Sequence, residues 1–231
     1  VSLPSQIPVL SIRRWEADQT SMFLGDTISL SEEQWREPSL LPGWSRAHIA
    51  AHLSMSADSL GWIALNTRAS FDKLCATNRA MLERNADRPG LNLQIDLDTS
   101  AEALVRTWDA VNDWNRQIRL LNASYPLAVL PLIRLHEICI HRLDLKLNPT
   151  LDQIDSEAAT WLLRWVLHRL EDTHSNELTI VSESGLRASL GNRNPRRVVS
   201  GTDAQLWAWL SGRTGSEGLS GAEGLGFDLL H

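Results

Sequence analysis

One segment constrains this chain more than any other. "PLIRLHEICIHRLDLKL" (Pro131–Leu147) is an apolar helix with Arg134, Glu137, His141 and Asp144 set along one face. Glu137 and His141 are four residues apart, so they stack one turn above the other. Arg134 precedes them by three and seven residues, and Asp144 follows His141 by about one turn. Leu132, Ile133, Leu135, Ile138, Ile140 and Leu143 surround this face. A polar face inside an apolar helix is costly unless its groups are paired or coordinated. The fold must therefore bring partner groups from another element. Cys139 lies about 200° round the helix from Glu137 and points elsewhere.

The partner is sought among helices, because most of the first half has helical spacing. Residues 8–30 carry Val9, Leu10, Ile12, Trp15, Met22, Phe23 and Leu24 among polar residues. Ser31 with Gln34 three residues on predicts a short capped turn. "EPSLLPGW" (Glu37–Trp44) reads as a loop, broken by two prolines and a glycine. A helix over roughly 45–68 follows, with an apolar stripe Ile49, Leu53, Leu60 and Ile63. "RPGLN" (Arg88–Asn92) reads as a break. A helix over Asp98–Leu121 is then predicted, opened by a capping box of Thr99 and Glu102. Pro131 suits the first turn of the helix described above. Four main helices with short connections predict an up-down bundle.

After "NPTLDQ" the pattern changes. A helix over 155–172 precedes a hairpin, Glu177–Glu183 and Leu186–Gly191, turning at Ser184-Gly185. Arg196–Gly201 reads as a third strand. Asp203–Arg213 reads as a helix with Gly212 past its end. The expected class is thus α+β: a four-helix bundle over residues 1–150, then a small α/β domain over 151–231.

Composition narrows the function. The formal net charge is −6 and no basic block occurs, which argues against a nucleic-acid partner. No apolar run approaches the ~20 residues of a membrane helix. The first residues lack a basic start followed by an apolar core, so no signal peptide is expected. Cys75 and Cys139 are distant in sequence, and free thiols in a reducing cytoplasm are the expected state.

"HIAAH" supplies the candidate partner. His52 lies beside the Ile49–Leu53 stripe and is expected to face the interior; His48 lies a turn nearer the rim. A bundle interior can gather His52 with Glu137 and His141 from the other helix. Two imidazoles and a carboxylate form a catalytic zinc set with one open position. The plainer alternative is a hydrogen-bonded core histidine beside a Glu–His pair worth about 0.2–0.5 kcal/mol. His168, His174 and His231 read as surface residues.

"SLLPGWSRAHIAAHLSMSADSL" together with "RLHEICIHRLDL" resembles the mycothiol-dependent maleylpyruvate isomerase family, one of the DinB-like metal-binding bundles. The "VVSG…LWAWLSGR" element is similar to that family's C-terminal domain. The resemblance places the family's metal ligands on His52, Glu137 and His141 and implies zinc or another divalent ion. It also implies that Arg213 contacts the substrate or the thiol; a charge well placed at a helix C-terminus is the alternative. The implied reaction takes maleylpyruvate to fumarylpyruvate. A metal-bound thiolate adds to the conjugated double bond, the resulting single bond rotates, and the thiol leaves. Arg213, and after it Arg134, would hold the substrate carboxylates and developing enolate. Mycothiol is the implied thiol, with ergothioneine open. A small-thiol S-transferase acting on another electrophile and a non-catalytic metal-binding protein are the competing readings. Asp144 is expected to salt-bridge Arg142 or Lys146, with a contact to His141 as the alternative. Three departures from the family pattern bear on substrate and thiol: His136 replaces an arginine, Lys146 replaces a glycine, and "NASYPLAVLP" lacks the usual polar Gly-Arg sequence. The oligomeric state is open.

Overall fold

The computed structural model describes residues 3–4, 6–66, 79–120, 123–170, 178–191 and 197–230. By internal packing the chain divides into two units: Ile7–Leu147, and Val1–Gln6 together with Asn148–His231. The class is α+β, with a helical part followed by a smaller part that contains a three-stranded sheet. Among the described residues no helix is long and apolar enough to cross a membrane.

The helical unit contains α1 (Val9–Thr27), α2 (Glu32–Arg36), α3 (Arg46–Leu65), α4 (Arg79–Ala86), α5 (Gly90–Asp109) and α6 (Val129–Asp144). Its four long helices close a ring: α1 packs on α5 and α6, and α3 packs on the same two. This is the bundle that the apolar spacing predicts. The α3 stripe of Ile49, Leu53, Leu60 and Ile63 is fully buried, each side chain contributing about 1.5–3 kcal/mol relative to exposure. The predicted cap of α2 is present. Ser31 Oγ accepts from Gln34 N at 3.2 Å, and Ser31 N donates to Gln34 Oε1 at 2.9 Å.

The break expected at Arg88–Asn92 falls on residues 87–89, between α4 and α5, but the helix bounds and the segment up to residue 126 differ from expectation. The helix predicted over 98–121 starts earlier and stops sooner, as α5 over Gly90–Asp109. Gly90 does not break it. Gly90 opens the helix after Pro89 because its backbone lies against the Trp35 ring, where an added Cβ would come within 2.2 Å of a ring carbon. Thr99 is an exposed interior position, and Glu102 bonds Arg106 at 3.2 Å instead of completing a cap. Beyond α5 the chain forms a hairpin, β1 (Gln117–Leu120) with β2 (Ala123–Pro126), antiparallel with Ile118 opposite Tyr125. Ile118 and Leu120 alternate with exposed neighbours, a two-residue period that four residues hardly reveal.

The turn after α6 explains one departure. Lys146 has φ 55° and Asn148 φ 57°. A glycine enters this left-handed region freely, whereas a side chain there is strained. The glycine that the resemblance implies at position 146 would answer this backbone requirement, and the exposed lysine meets it at a conformational cost.

In the second unit a 3-10 turn (Leu151–Gln153) leads to α7 (Ser156–Leu170), β3 (Leu178–Ser182), β4 (Arg187–Leu190), β5 (Arg197–Gly201) and α8 (Asp203–Leu210). The sheet order is β4-β3-β5. β3 and β4 form the predicted hairpin, with Ile180 opposite Ala188; β5 runs parallel to β3 on its other side. α8 packs on α7 and touches β3 and β5. It ends at Leu210, short of the predicted Arg213, and Gly212 follows with φ 74° as expected of a residue past a helix end.

Candidate functional site

α3 and α6 meet through a ladder of polar contacts. The His52 and His141 rings stand edge to face, centroids 5.1 Å apart. One turn further along α3, Ser56 Oγ donates to Glu137 Oε2 at 2.5 Å; Glu137 is one turn earlier on α6. The Leu53 carbonyl of α3 accepts from Arg134 Nη1 at 2.9 Å. The His52–His141 and Ser56–Glu137 pairs rise along α3 as they descend along α6, so the two helices run antiparallel here. The polar face read from the sequence is real, and α3 is the element that answers it.

Asp144 decides the chemistry of His141. Its side chain is fully buried, and Oδ2 lies 2.8 Å from His141 Nδ1. The contact to His141, the alternative read from the sequence, is present. Arg142 turns to α1, donating from Nε to Asp26 Oδ2 at 2.9 Å and from Nη1 to Gln19 Oε1 at 2.9 Å. In the neutral tautomer of an imidazole, a carboxylate at Nδ1 favours the proton on that nitrogen and leaves the lone pair on Nε2.

The loop before α3 shapes the other side. The Trp44 ring lies 5.4 Å from His52 and 6.3 Å from His48. Arg46, on the first turn of α3, donates from Nε to the Leu145 carbonyl at 2.7 Å and pairs with Glu37 at 2.6 Å. This clamp ties the start of α3 to the end of α6 and so sets His52 against His141. His48 is occupied elsewhere. Its Nδ1 accepts from Ser45 N at 3.2 Å, closing the α3 cap, and its Nε2 lies 3.0 Å from Glu83. Since a backbone N–H only donates, Nδ1 of His48 carries no proton.

Arg134 is 1% exposed. Besides Leu53 it meets Glu137 Oε2 at 3.7 Å and Glu16 Oε1 at 3.9 Å; its Nε has no hydrogen-bond partner among the described residues. Burial raises the Glu16 pKa above the usual carboxylate range, against the opposing pull of Arg134 and of a hydrogen bond from Thr20. The protein groups around Arg134 are thus two carboxylates and a carbonyl. Burial pushes the Cys139 thiol up to about 12, so it remains protonated at neutral pH. Cys75, His174 and His231 lie outside the described residues. His168 is half-buried against the Trp165 ring, not a bare surface residue.

Arg213 belongs to the second unit. It is 9% exposed, and its Nη1 donates to the carbonyls of Ser211 at 2.7 Å and Leu230 at 2.6 Å. These bonds satisfy a carbonyl at the end of α8 and hold the C-terminal segment to it.

The donor types at the ladder suit a divalent ion: neutral imidazoles and a carboxylate. Two histidines on one tetrahedral zinc, at about 2.0–2.1 Å each, place their ring centroids roughly 5 Å apart. The His52–His141 spacing has that value. As placed, however, no three His, Cys, Asp or Glu side chains among the described residues form a group able to hold an ion. Glu137 Oε2 faces Ser56 and Arg134. Sequence reasoning missed Ser56, Trp44 and Arg46. Ser56 carries a signal, one turn past His52 on the same face; the Arg46 contacts cross between elements and leave none.

The sequence matches the family model described as mycothiol maleylpyruvate isomerase N-terminal domain over residues 17–146. No curated protein matches it significantly. Among solved structures it is similar to the crystal structure of the mycothiol-dependent maleylpyruvate isomerase. Identity is 20%, coverage 96% of this chain and 97% of that one, and the TM-score 0.82. It is also similar to a histidine-to-alanine mutant of the mycothiol-dependent maleylpyruvate isomerase, at 19% identity, the same coverage and a TM-score of 0.80. Likeness at these identities establishes the fold.

Proposed function

Because this chain belongs to the mycothiol maleylpyruvate isomerase family, we propose that it isomerises maleylpyruvate to fumarylpyruvate with a low-molecular-weight thiol. His52, Glu137 and His141 would hold the divalent ion, zinc by their donor chemistry. The observation that carries this reading is His141, with Asp144 at Nδ1 and the His52 ring against its edge. A divalent ion there supplies the charge that turns a thiol into a thiolate near neutral pH. The thiol supplies a sulfur that adds reversibly to a conjugated double bond and so permits rotation about it. Mycothiol is the first choice, from the family, and ergothioneine the second.

The chain's own residues do the positioning. Asp144 accepts the Nδ1 proton of His141 and so presents Nε2 as a lone-pair donor. Arg46 fixes the start of α3 against α6 through the Leu145 carbonyl. The Trp44 ring beside His52 limits the directions from which water or thiol can approach. Arg134 acts through Glu137, its charge facing Oε2 from the core. Arg213 is assigned to an anionic group of substrate or thiol on the family resemblance, beside its bonds to Ser211 and Leu230.

The test is a metal-loaded protein given maleylpyruvate with mycothiol, with ergothioneine, or with no thiol, and the product followed by NMR. Fumarylpyruvate formed only with thiol is the expected result. An accumulating thiol conjugate would make the protein an S-transferase instead, and tight zinc binding without turnover would make it a binding protein. Metal content unchanged in His52→Ala would remove the ligand set.

A further inference from the structure

We infer that Ser56 is a positioning residue for Glu137, fixing the carboxylate that the helical unit offers to a divalent ion. The inference rests on the metal reading above and adds a residue to it. Three serines on α3 make the contrast. Ser54 Oγ donates to the Ala50 carbonyl at 3.1 Å, and Ser59 Oγ to the Met55 carbonyl at 2.9 Å. Both follow the ordinary course of a helical serine, which bonds the carbonyl one turn back. Ser56 lies between them and departs from it. Its hydroxyl crosses to α6 and meets Glu137 Oε2 at 2.5 Å, in the range of a charge-assisted bond to a carboxylate.

The direction of this bond matters as much as its length. Arg134 Nη1 also faces Oε2, at 3.7 Å, and is itself held by the Leu53 carbonyl. Both contacts fall on Oε2. A carboxylate held at one oxygen has fewer rotamers open to it and can present its other oxygen to an ion. Groups of this kind around a ligand commonly change metal affinity about 10–100-fold when removed. Ser56 also sits one turn from His52, so a single helix supplies both a donor and the group that orients the donor opposite.

Zinc affinity measured by competition with a chromogenic chelator, on wild type, Ser56→Ala and Ser56→Thr, tests the inference without any assay of turnover. Ser56→Ala is expected to bind zinc about 10–100-fold more weakly, with its helical circular dichroism unchanged. Ser56→Thr keeps the hydroxyl and is expected to stay near wild type. Equal affinity in Ser56→Ala and wild type overturns the inference and leaves the metal reading standing; so does a Ser56→Thr as weak as Ser56→Ala. A wild-type protein that binds no divalent ion removes the metal reading and this inference together.

Discussion

The charged residues singled out from the sequence fare differently in the two units. In the helical unit they mostly face other side chains: His141 meets Asp144, Glu137 meets Ser56, and Arg134, though its hydrogen bond goes to the Leu53 carbonyl, lies between Glu16 and Glu137. In the second unit the Nη1 bonds of Arg213 go to backbone carbonyls, those of Ser211 and Leu230. Bonds between side chains are the minority in folded proteins, about 10–15% of the total. A run of them along one helix seam is costly to assemble in a core, and such expense is usual at working sites. An arginine on carbonyls does a commoner job, satisfying a helix end and closing a chain segment. The difference favours the α3–α6 seam as the place of the proposed chemistry and gives Arg213 a structural duty whatever else it does.

The largest expected effect follows from removing a donor from the seam. His52→Ala should bind no zinc and show no thiol-dependent turnover, with the fold retained; elemental analysis and circular dichroism decide it. Asp144→Asn comes next. The amide offers Nδ1 no negative charge, so the preference for a proton there is lost, and zinc affinity should fall about 10–100-fold. An Asn variant that binds zinc as wild type would reduce the His141–Asp144 pair to a structural contact. Arg213→Ala tests the other side of the contrast. It takes the Arg213 donor from the Leu230 carbonyl, while the Ser211 carbonyl keeps the Leu230 N–H at 3.2 Å, and should cost the protein about 0.5–1.5 kcal/mol by denaturant melt. A raised KM for thiol or substrate with no loss of stability would overturn the structural duty and support the family's assignment. Both changes together would show one arginine doing both.

How much of this was readable beforehand depends on how far a periodic signal runs. α3 shows its buried stripe over four turns, so His52 could be placed beside it, and the Glu137–His141 spacing could be read on α6. The β1–β2 hairpin could not. Ile118 and Leu120 give only one alternation, no glycine or proline separates α5 from β1, and a helical reading runs on through them. Asp144 had three candidate partners within a turn. The choice was made by α1, whose Asp26 and Gln19 take Arg142 away. Ser56 looked like Ser54 and Ser59, because a sequence does not say whether a hydroxyl bonds its own helix or the next one.

The smallest effect is expected at His48, the histidine that shares "HIAAH" with His52 and differs from it most. Its Nδ1 accepts the Ser45 N–H at the start of α3, the place in a capping box usually taken by Glu or Gln. His48→Ala should therefore cost about 0.5–2 kcal/mol as a lost cap. The Glu83 contact adds little, since Glu83 is half exposed. His48→Gln restores an acceptor at the same position and should recover most of the loss. Zinc affinity should not move in either variant, because neither nitrogen of His48 faces the seam. Thermal melts and chelator competition on the same two proteins separate the outcomes. A drop in zinc affinity in His48→Ala that His48→Gln does not repair would make His48 part of the metal site, and the four-residue spacing with His52 would then be a ligand motif after all.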